Sequence, residues 1–229
     1  MTSKVMLITG ASTGIGAATA RAAAKDGYHL ALVARSVDKL QSLQEELGGP
    51  EQALALECDV QDFDQQKSAV AQTLDRFGRL DAVFANAGRG GSPGGFSGAD
   101  HEAWRDMILT NIYGVGLTIQ AALPALRESK GHVLLTGSGA GRATIPGSMY
   151  SATKWAVTAI GYNLREELRG SGIRATLIEP GMVDTPFFDE KPEHALVDDD
   201  IARAVMYAVS QPDHVDVNEI LVRPTPKVE

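Results

Sequence analysis

The sequence predicts an α/β fold, a seven-stranded parallel sheet doubly wound with helices on both faces. Three observations carry this. Seven short runs are apolar on both faces, which suits strands of a parallel sheet covered on both sides. Segments of helical periodicity separate them, as crossover connections require. The length of 229 residues fits a single domain, 1–229, better than two.

The elements follow in order. KVMLIT (4–9) is the first strand, and a glycine-rich turn leads from it into a helix over 14–25. YHLALVA (28–34) and ALALECDV (53–60) are the next strands, each followed by an amphipathic stretch, at 36–47 and 62–76. LDAVFANA (80–87) precedes a long helical pattern over 101–127, and HVLLTGS (132–138) precedes one over 149–170. IRATLIEP (173–180), a helix over 198–210 and the strand EILVRP (219–224) complete the alternation. Two stretches interrupt it. RGGSPGGFSG (89–98) is too rich in Gly and Pro for regular structure. TPFFDEKPEHALVDDD (185–200) carries Phe187 and Phe188 between prolines and reads as a flap. Both follow strands, where such folds bind ligands, so both are predicted substrate walls.

Composition excludes several functions. A net charge of -8 opposes nucleic acid as a partner, because phosphate backbones need clustered basic surface. Cys58 is the single cysteine, so neither an internal disulfide nor a zinc site is expected, and a reducing compartment is. Residues 1–9 show no secretory leader and no run of about 18 apolar residues follows, so a cytoplasmic protein with no membrane span is expected.

The first strand ends in TGASTGIG, residues 9–16. Gly10 permits a tight turn, Gly14 lets backbone approach a phosphate, and Gly16 allows close helix packing. The helix that follows offers free N–H groups and a positive dipole end to a pyrophosphate. The expected ligand is a dinucleotide. At the end of the second strand, LVARS places Ala34 and Arg35 where an adenosine ribose would lie. A guanidinium suits a 2′-phosphate, whereas a carboxylate would bind the free hydroxyl of NAD. NADP is therefore expected over NAD. The alternative is that Arg35 merely opens the second helix on the surface, and Thr13 supplies no second cation.

The spacing G-x-x-x-G-x-G, together with YSATK at 150–154, resembles the short-chain dehydrogenase/reductase family of NAD(P)-dependent, Rossmann-like oxidoreductases. The likeness runs along nearly the whole chain. It includes Asp59 and Val60 in CDV, Asn86, Ala87 and Gly88 after the fourth strand, Asn111 in ILTNIYG, Ser138 after the fifth strand and Pro180-Gly181 after the sixth. The resemblance implies that Gly10, Ser12, Thr13, Gly14, Ile15 and Gly16 hold phosphates, that Asp59 meets the adenine, and that Val183 and Thr185 contact the nicotinamide end. It implies homodimers or homotetramers too; the apolar excess on 101–127 and 149–170 fits such a contact.

Tyr150 and Lys154 stand at i and i+4 on one helix face, so the ammonium is expected to lower the phenol's pKa and make it a proton shuttle. By resemblance Lys154 also holds the nicotinamide ribose. Ser138 is expected to orient the substrate oxygen. Asn111 either supports a water relay from Lys154, by resemblance, or bonds a kinked backbone. No metal is needed. The implied reaction is hydride transfer between nicotinamide and a carbonyl or secondary alcohol. Ser138 lies one residue nearer Tyr150 than in many members. The run HVDVNEILVRPT resembles members acting on short 3-hydroxy acids, for which Arg89 and Arg142 are candidate carboxylate binders. Met182 and the Phe187-Phe188 pair instead suggest an apolar wall compatible with bulkier ketones or alcohols; the expected substrate is a short 3-hydroxy acid or a small ketone. Two other readings are a non-catalytic NADP-binding regulator, which would not need Asn111, Ser138, Tyr150 and Lys154 together, and an epimerase or dehydratase, whose G-x-x-G-x-x-G turn is missing.

Overall fold

Strands buried on both faces alternate their side chains between two cores. The computed structural model describes residues 3–91, 93–187 and 192–226. In chain order the elements begin β1 (Val5–Thr9), α1 (Gly14–Lys25), β2 (His29–Ala34), α2 (Val37–Glu46), β3 (Ala53–Glu57), α3 (Phe63–Phe77) and β4 (Ala82–Ala85). A single helical turn, α4 (Gly95–Gly98), follows, then α5 (His101–Ile108), a π-helical turn at Leu109–Tyr113 and α6 (Gly114–Ser129). Next come β5 (His132–Thr136), a 3₁₀ turn at Gly139–Gly141, α7 (Met149–Glu167) and β6 (Arg174–Pro180). The chain closes with β7 (Val183–Asp184), β8 (Leu196–Val197), α8 (Asp198–Ser210) and β9 (Glu219–Val222).

The main sheet has seven strands in the order β3-β2-β1-β4-β5-β6-β9, and every pairing is parallel. Val5 and Leu7 of β1 face one core with Val70 of α3, Ile119 of α6 and Val157 of α7. Met6 and Ile8 face the other with Ala20 of α1, Leu40 of α2 and Val205 of α8. Each such large side chain stabilises the fold by roughly 1.5–3 kcal/mol, so a slip in register would forfeit both cores at once.

Several boundaries differ from expectation. The predicted strands overran because Cys58 to Val60, Asn86, Ala87, Gly137 and Ser138 leave the sheet, although their composition continues the strand pattern. The loop 89–98 contains α4, and the predicted helix 101–127 is interrupted by the π turn around Asn111. The predicted flap is pinned by the small parallel pair β7-β8. Residues 92 and 188–191, including Phe188, lie outside the described residues. One stretch, His101–Ser129, is apolar enough by composition to cross a membrane, with a hydropathy of 1.2, yet half of that window is buried in the fold. Polar residues such as Asn111 and Gln120 break its apolar run, which hid it from a count of consecutive apolar residues.

Candidate active site

The strand order reverses between β1 and β4, and a cleft of about 750 Å³ opens there along the carboxyl ends of the strands. Every residue predicted to bind the cofactor or to take part in catalysis lines it except Gly16 and Asn111.

Gly10 has φ +66, and a Cβ there would meet Ala87 Cα at 2.9 Å, so the turn takes only glycine. Gly16 lies beneath it: a Cβ would stand 2.3 Å from the Gly10 carbonyl oxygen. Gly16 thus acts from behind, letting α1 press on the turn. Asn86 is a strut as much as a wall. Its Nδ2 donates to the carbonyls of Thr9 at 3.1 Å and Gly10 at 3.4 Å, while its Oδ1 accepts from Thr136 Oγ1 at 3.1 Å. Thr13 precedes α1 without a side-chain cap, and the first turn holds no acid. By contrast, Asp62, Asp100 and Ser148 cap α3, α5 and α7. The first N–H groups of α1 are left for an anion, and the glycine cradle gives it room; the residues present fit a pyrophosphate.

Arg35 follows β2, exposed at the rim, with no ion pair among the described residues. No carboxylate therefore competes with a phosphate for it. Asp59 keeps its loop turned by accepting from Gln61 N at 3.0 Å, and Gln66 Nε2 donates to the Val60 carbonyl at 2.7 Å. Cys58 also lines this end, though buried; burial, then the charge of Asp59, pushes its thiol up to about 12, which keeps it inert.

At the other end, Ser148 caps α7 by accepting from Ser151 N at 3.0 Å, which sets Tyr150 in the first turn. Lys154, 4% exposed, donates from Nζ to the Thr136 carbonyl at 2.8 Å and lies 5.7 Å from the Tyr150 ring centroid. Burial lowers its pKa to about 8. The Tyr150 phenol departs from expectation. Burial raises its pKa, and the opposing pull comes from a hydrogen bond with Ser138 rather than from Lys154. The charged form of a phenol loses more from desolvation than an ammonium nearly 6 Å from its ring restores.

Asn111 is fully buried in the π turn. Its Oδ1 accepts from Arg89 N at 2.8 Å, and its Nδ2 donates to the Arg89 carbonyl and Thr153 Oγ1, each at 3.0 Å. These bonds tie the π turn to the backbone at Arg89 and to α7. Asn111 sits close to Lys154: a Cβ on Gly88 would touch Asn111 Oδ1 at 3.4 Å and Lys154 Nζ at 3.7 Å.

The two predicted substrate loops converge on Tyr150. Phe187 packs edge-on against its ring at 5.6 Å, and a Cβ on Gly90 would meet Phe187 at 3.2 Å. The carboxylate binders expected from sequence are otherwise engaged. Arg89 lines the cleft but pairs with Asp106. Arg142 does not line it, and ion-pairs with Glu179 at 2.8 Å and Glu219 at 2.6 Å. Sequence reading missed Arg223, which follows β9 and lines the cleft with its stem on Gly181; a Cβ on Gly181 would meet Arg223 Cγ at 3.3 Å. Its place in a strand-terminal RPT was the available signal.

A sequence profile described as short chain dehydrogenase matches residues 4–196. The dehydrogenase/reductase SDR family member 11 of Gallus gallus is 37% identical over 251 aligned positions, covering 99% of this chain and 98% of that protein. Among solved structures, an alcohol dehydrogenase from the archaeon Thermococcus sibiricus, complexed with 5-hydroxy-NADP, is similar with a TM-score of 0.88 and 36% identity, over 98% of this chain and 99% of that one. A 3-ketoacyl-(acyl-carrier-protein) reductase from Brucella melitensis, complexed with NADH, has a TM-score of 0.89 and 28% identity over 96% of each chain. Glycine cradle, open helix terminus and Tyr150-Lys154 pair thus coincide with full-length similarity: the chain belongs to the short chain dehydrogenase family and is an NAD(P)-dependent oxidoreductase.

Proposed function

We propose that the chain uses NADP to interconvert a carbonyl and a secondary alcohol, with Tyr150 as the acid/base. The observation that carries this is the meeting of Tyr150, Ser138 and Lys154 at one end of a cleft whose other end holds the uncompensated Arg35. The preference for NADP rests on Arg35, and the NADP-type ligand of the archaeal relative supports it. Gly10, Ser12, Thr13, Gly14 and Ile15 would hold the pyrophosphate, with Asp59, Val60, Asn86, Ala87 and Gly88 along the adenosine side. Pro180, Gly181, Val183 and Thr185 would hold the nicotinamide end. Bound NADP supplies or accepts the hydride.

In the reducing direction Tyr150 gives its phenolic proton to the substrate oxygen, and Ser138 orients that oxygen by hydrogen bonding. A phenol held protonated by burial is suited to donate, and Lys154, still mostly protonated at neutral pH, stands ready to stabilise the phenolate left behind. Asn111 fixes the Arg89 backbone beside Lys154. Phe187 and Met182 give the cleft an apolar wall that suits a ketone. A short 3-hydroxy acid is the second reading, favoured by Arg223 at the substrate end. Cytoplasmic placement and a dimeric or tetrameric assembly belong to the same proposal; the exposed Tyr113, Trp155 and Tyr162 on the helical face fit a subunit contact.

The test follows NADPH and NADH absorbance with ketones, hydroxy acids and sugars, for the wild type and Tyr150→Phe. Tyr150→Phe is expected to abolish turnover with NADPH affinity nearly intact. Binding of NADPH without turnover of any compound would leave the non-catalytic regulator as the surviving reading. Arg223→Met is expected to depress activity on hydroxy acids more than on neutral alcohols; equal loss rejects the acid reading.

A further inference from the structure

Glu179 is a carboxylate only 1% exposed that no catalytic step employs. It stands on β6 directly beneath Gly137, where a Cβ would meet Glu179 Cγ at 3.0 Å. Its Oε1 accepts from Arg142 Nε at 2.8 Å and from Thr158 Oγ1 of α7 at 3.3 Å. Arg142 also reaches Glu219 of β9 at 2.6 Å and donates to the Tyr162 hydroxyl at 2.9 Å. One guanidinium therefore ties the segment after β5 to β6, β9 and α7. Stability alone explains this poorly, since a buried ion pair gains little over a packed apolar pair.

Its location explains it better. Arg142 closes the segment that begins at Ser138. Within that segment Ser138 Oγ accepts from Ala140 N at 3.1 Å, and the Ala140 carbonyl accepts from Ser151 Oγ at 2.7 Å. Gly141 is pressed on α7, where a Cβ would stand 2.6 Å from the Lys154 carbonyl oxygen. Beyond Arg142, residues 143–146 are exposed and held to α7 only by long bonds to the Ala143 carbonyl, from Ser151 Oγ at 3.3 Å and Trp155 Nε1 at 3.4 Å, so Arg142 is the firmest anchor on that side. We propose that the Arg142–Glu179 pair is a latch that positions Ser138 against Tyr150. Arg142 touches no reacting atom and acts as a positioning residue. The inference rests on the roles assigned above to Ser138 and Tyr150.

The test compares Arg142→Gln and Arg142→Lys with the wild type by three readouts: NADPH affinity from fluorescence, kcat and KM on a turned-over carbonyl, and the ¹³C resonance of Tyr150 Cζ. The chain has five tyrosines, and Tyr150→Phe assigns the signal. With Arg142→Gln, kcat is expected to fall by about tenfold or more, as misplacement near 1 Å can cost 100-fold, while NADPH affinity stays within about twofold. The Tyr150 resonance and its titration should shift toward a phenol that has lost the Ser138 bond, and Arg142→Lys should recover part of each. A variant that only melts earlier, with kcat and the Tyr150 titration unchanged, overturns the latch. Should Arg142→Gln fail to fold, the double variant Arg142→Met/Glu179→Met breaks the latch without leaving a buried charge unpaired; an unmoved Tyr150 resonance there also overturns it. If the wild type turns over no carbonyl, the proposed function fails, and the Tyr150 resonance still decides the latch.

Discussion

Replacing Lys154 by Met should make the protein more stable at neutral pH while abolishing turnover. The ammonium is 4% exposed, and burial depresses its pKa from 10.5 to about 8. At 1.36 kcal/mol per pH unit, that gap corresponds to roughly 3 kcal/mol. The sign follows from proton counts. Between about pH 8 and 10.5 the unfolded chain holds a proton that the folded chain has released, so stability rises with pH across that window. Below it both states are protonated and the full burden is present. Methionine has a similar stem and no charge, and loses the bond to the Thr136 carbonyl, worth about 1 kcal/mol. The variant should therefore gain about 2 kcal/mol at pH 7, or about 4–8 °C in melting temperature for a chain of this length. Urea unfolding of both proteins, without cofactor, at pH 7, 8.5 and 10.5 tests this, because other ionisations cancel in the difference. A gap independent of pH, or a wild type more stable at pH 7, would refute the reasoning.

Arg35→Ala should weaken NADPH by about 10–100-fold, since charge-assisted bonds contribute about 1.5–3 kcal/mol, and should leave NADH nearly unchanged. Equal losses in titrations with the two cofactors would remove Arg35 from the phosphate site. His132 is buried with Nε2 2.7 Å from Thr176 Oγ1, and burial, then the charge of Arg174, lowers its pKa from 6.5 to about 3. Below pH 6.5 the unfolded imidazole takes a proton that the folded one refuses, so stability is lost as pH falls from 6.5 toward 3. Relative to His132→Leu, the wild type should lose about 2 kcal/mol more between pH 7 and pH 5 in denaturant titrations; parallel curves would reject this.

Local chemistry explains what was legible. Both-face apolarity marks a central parallel strand, glycine spacing marks a backbone that must approach a phosphate, and the i, i+4 spacing of Tyr150 and Lys154 puts them on one face whatever surrounds them. Strand ends were less legible. Cys58, Asn86 and Ser138 have the composition of the strands they leave, and only the cleft distinguishes them.

Fold class, nucleotide-binding turn and the Tyr150-Lys154 pair were thus properties of the sequence alone, because each depends on residues a few positions apart. The partners of charges were decided by the tertiary structure. Arg142 and Glu179 are 37 residues apart and meet only because β5 and β6 are neighbours. That juxtaposition turned Arg142 from an expected substrate ligand into an anchor for the Ser138 segment, whereas Arg223 lines the cleft. Burial in the tertiary structure also reversed the expected shift of Tyr150, since desolvation depends on everything packed around a group, and no spacing rule encodes that.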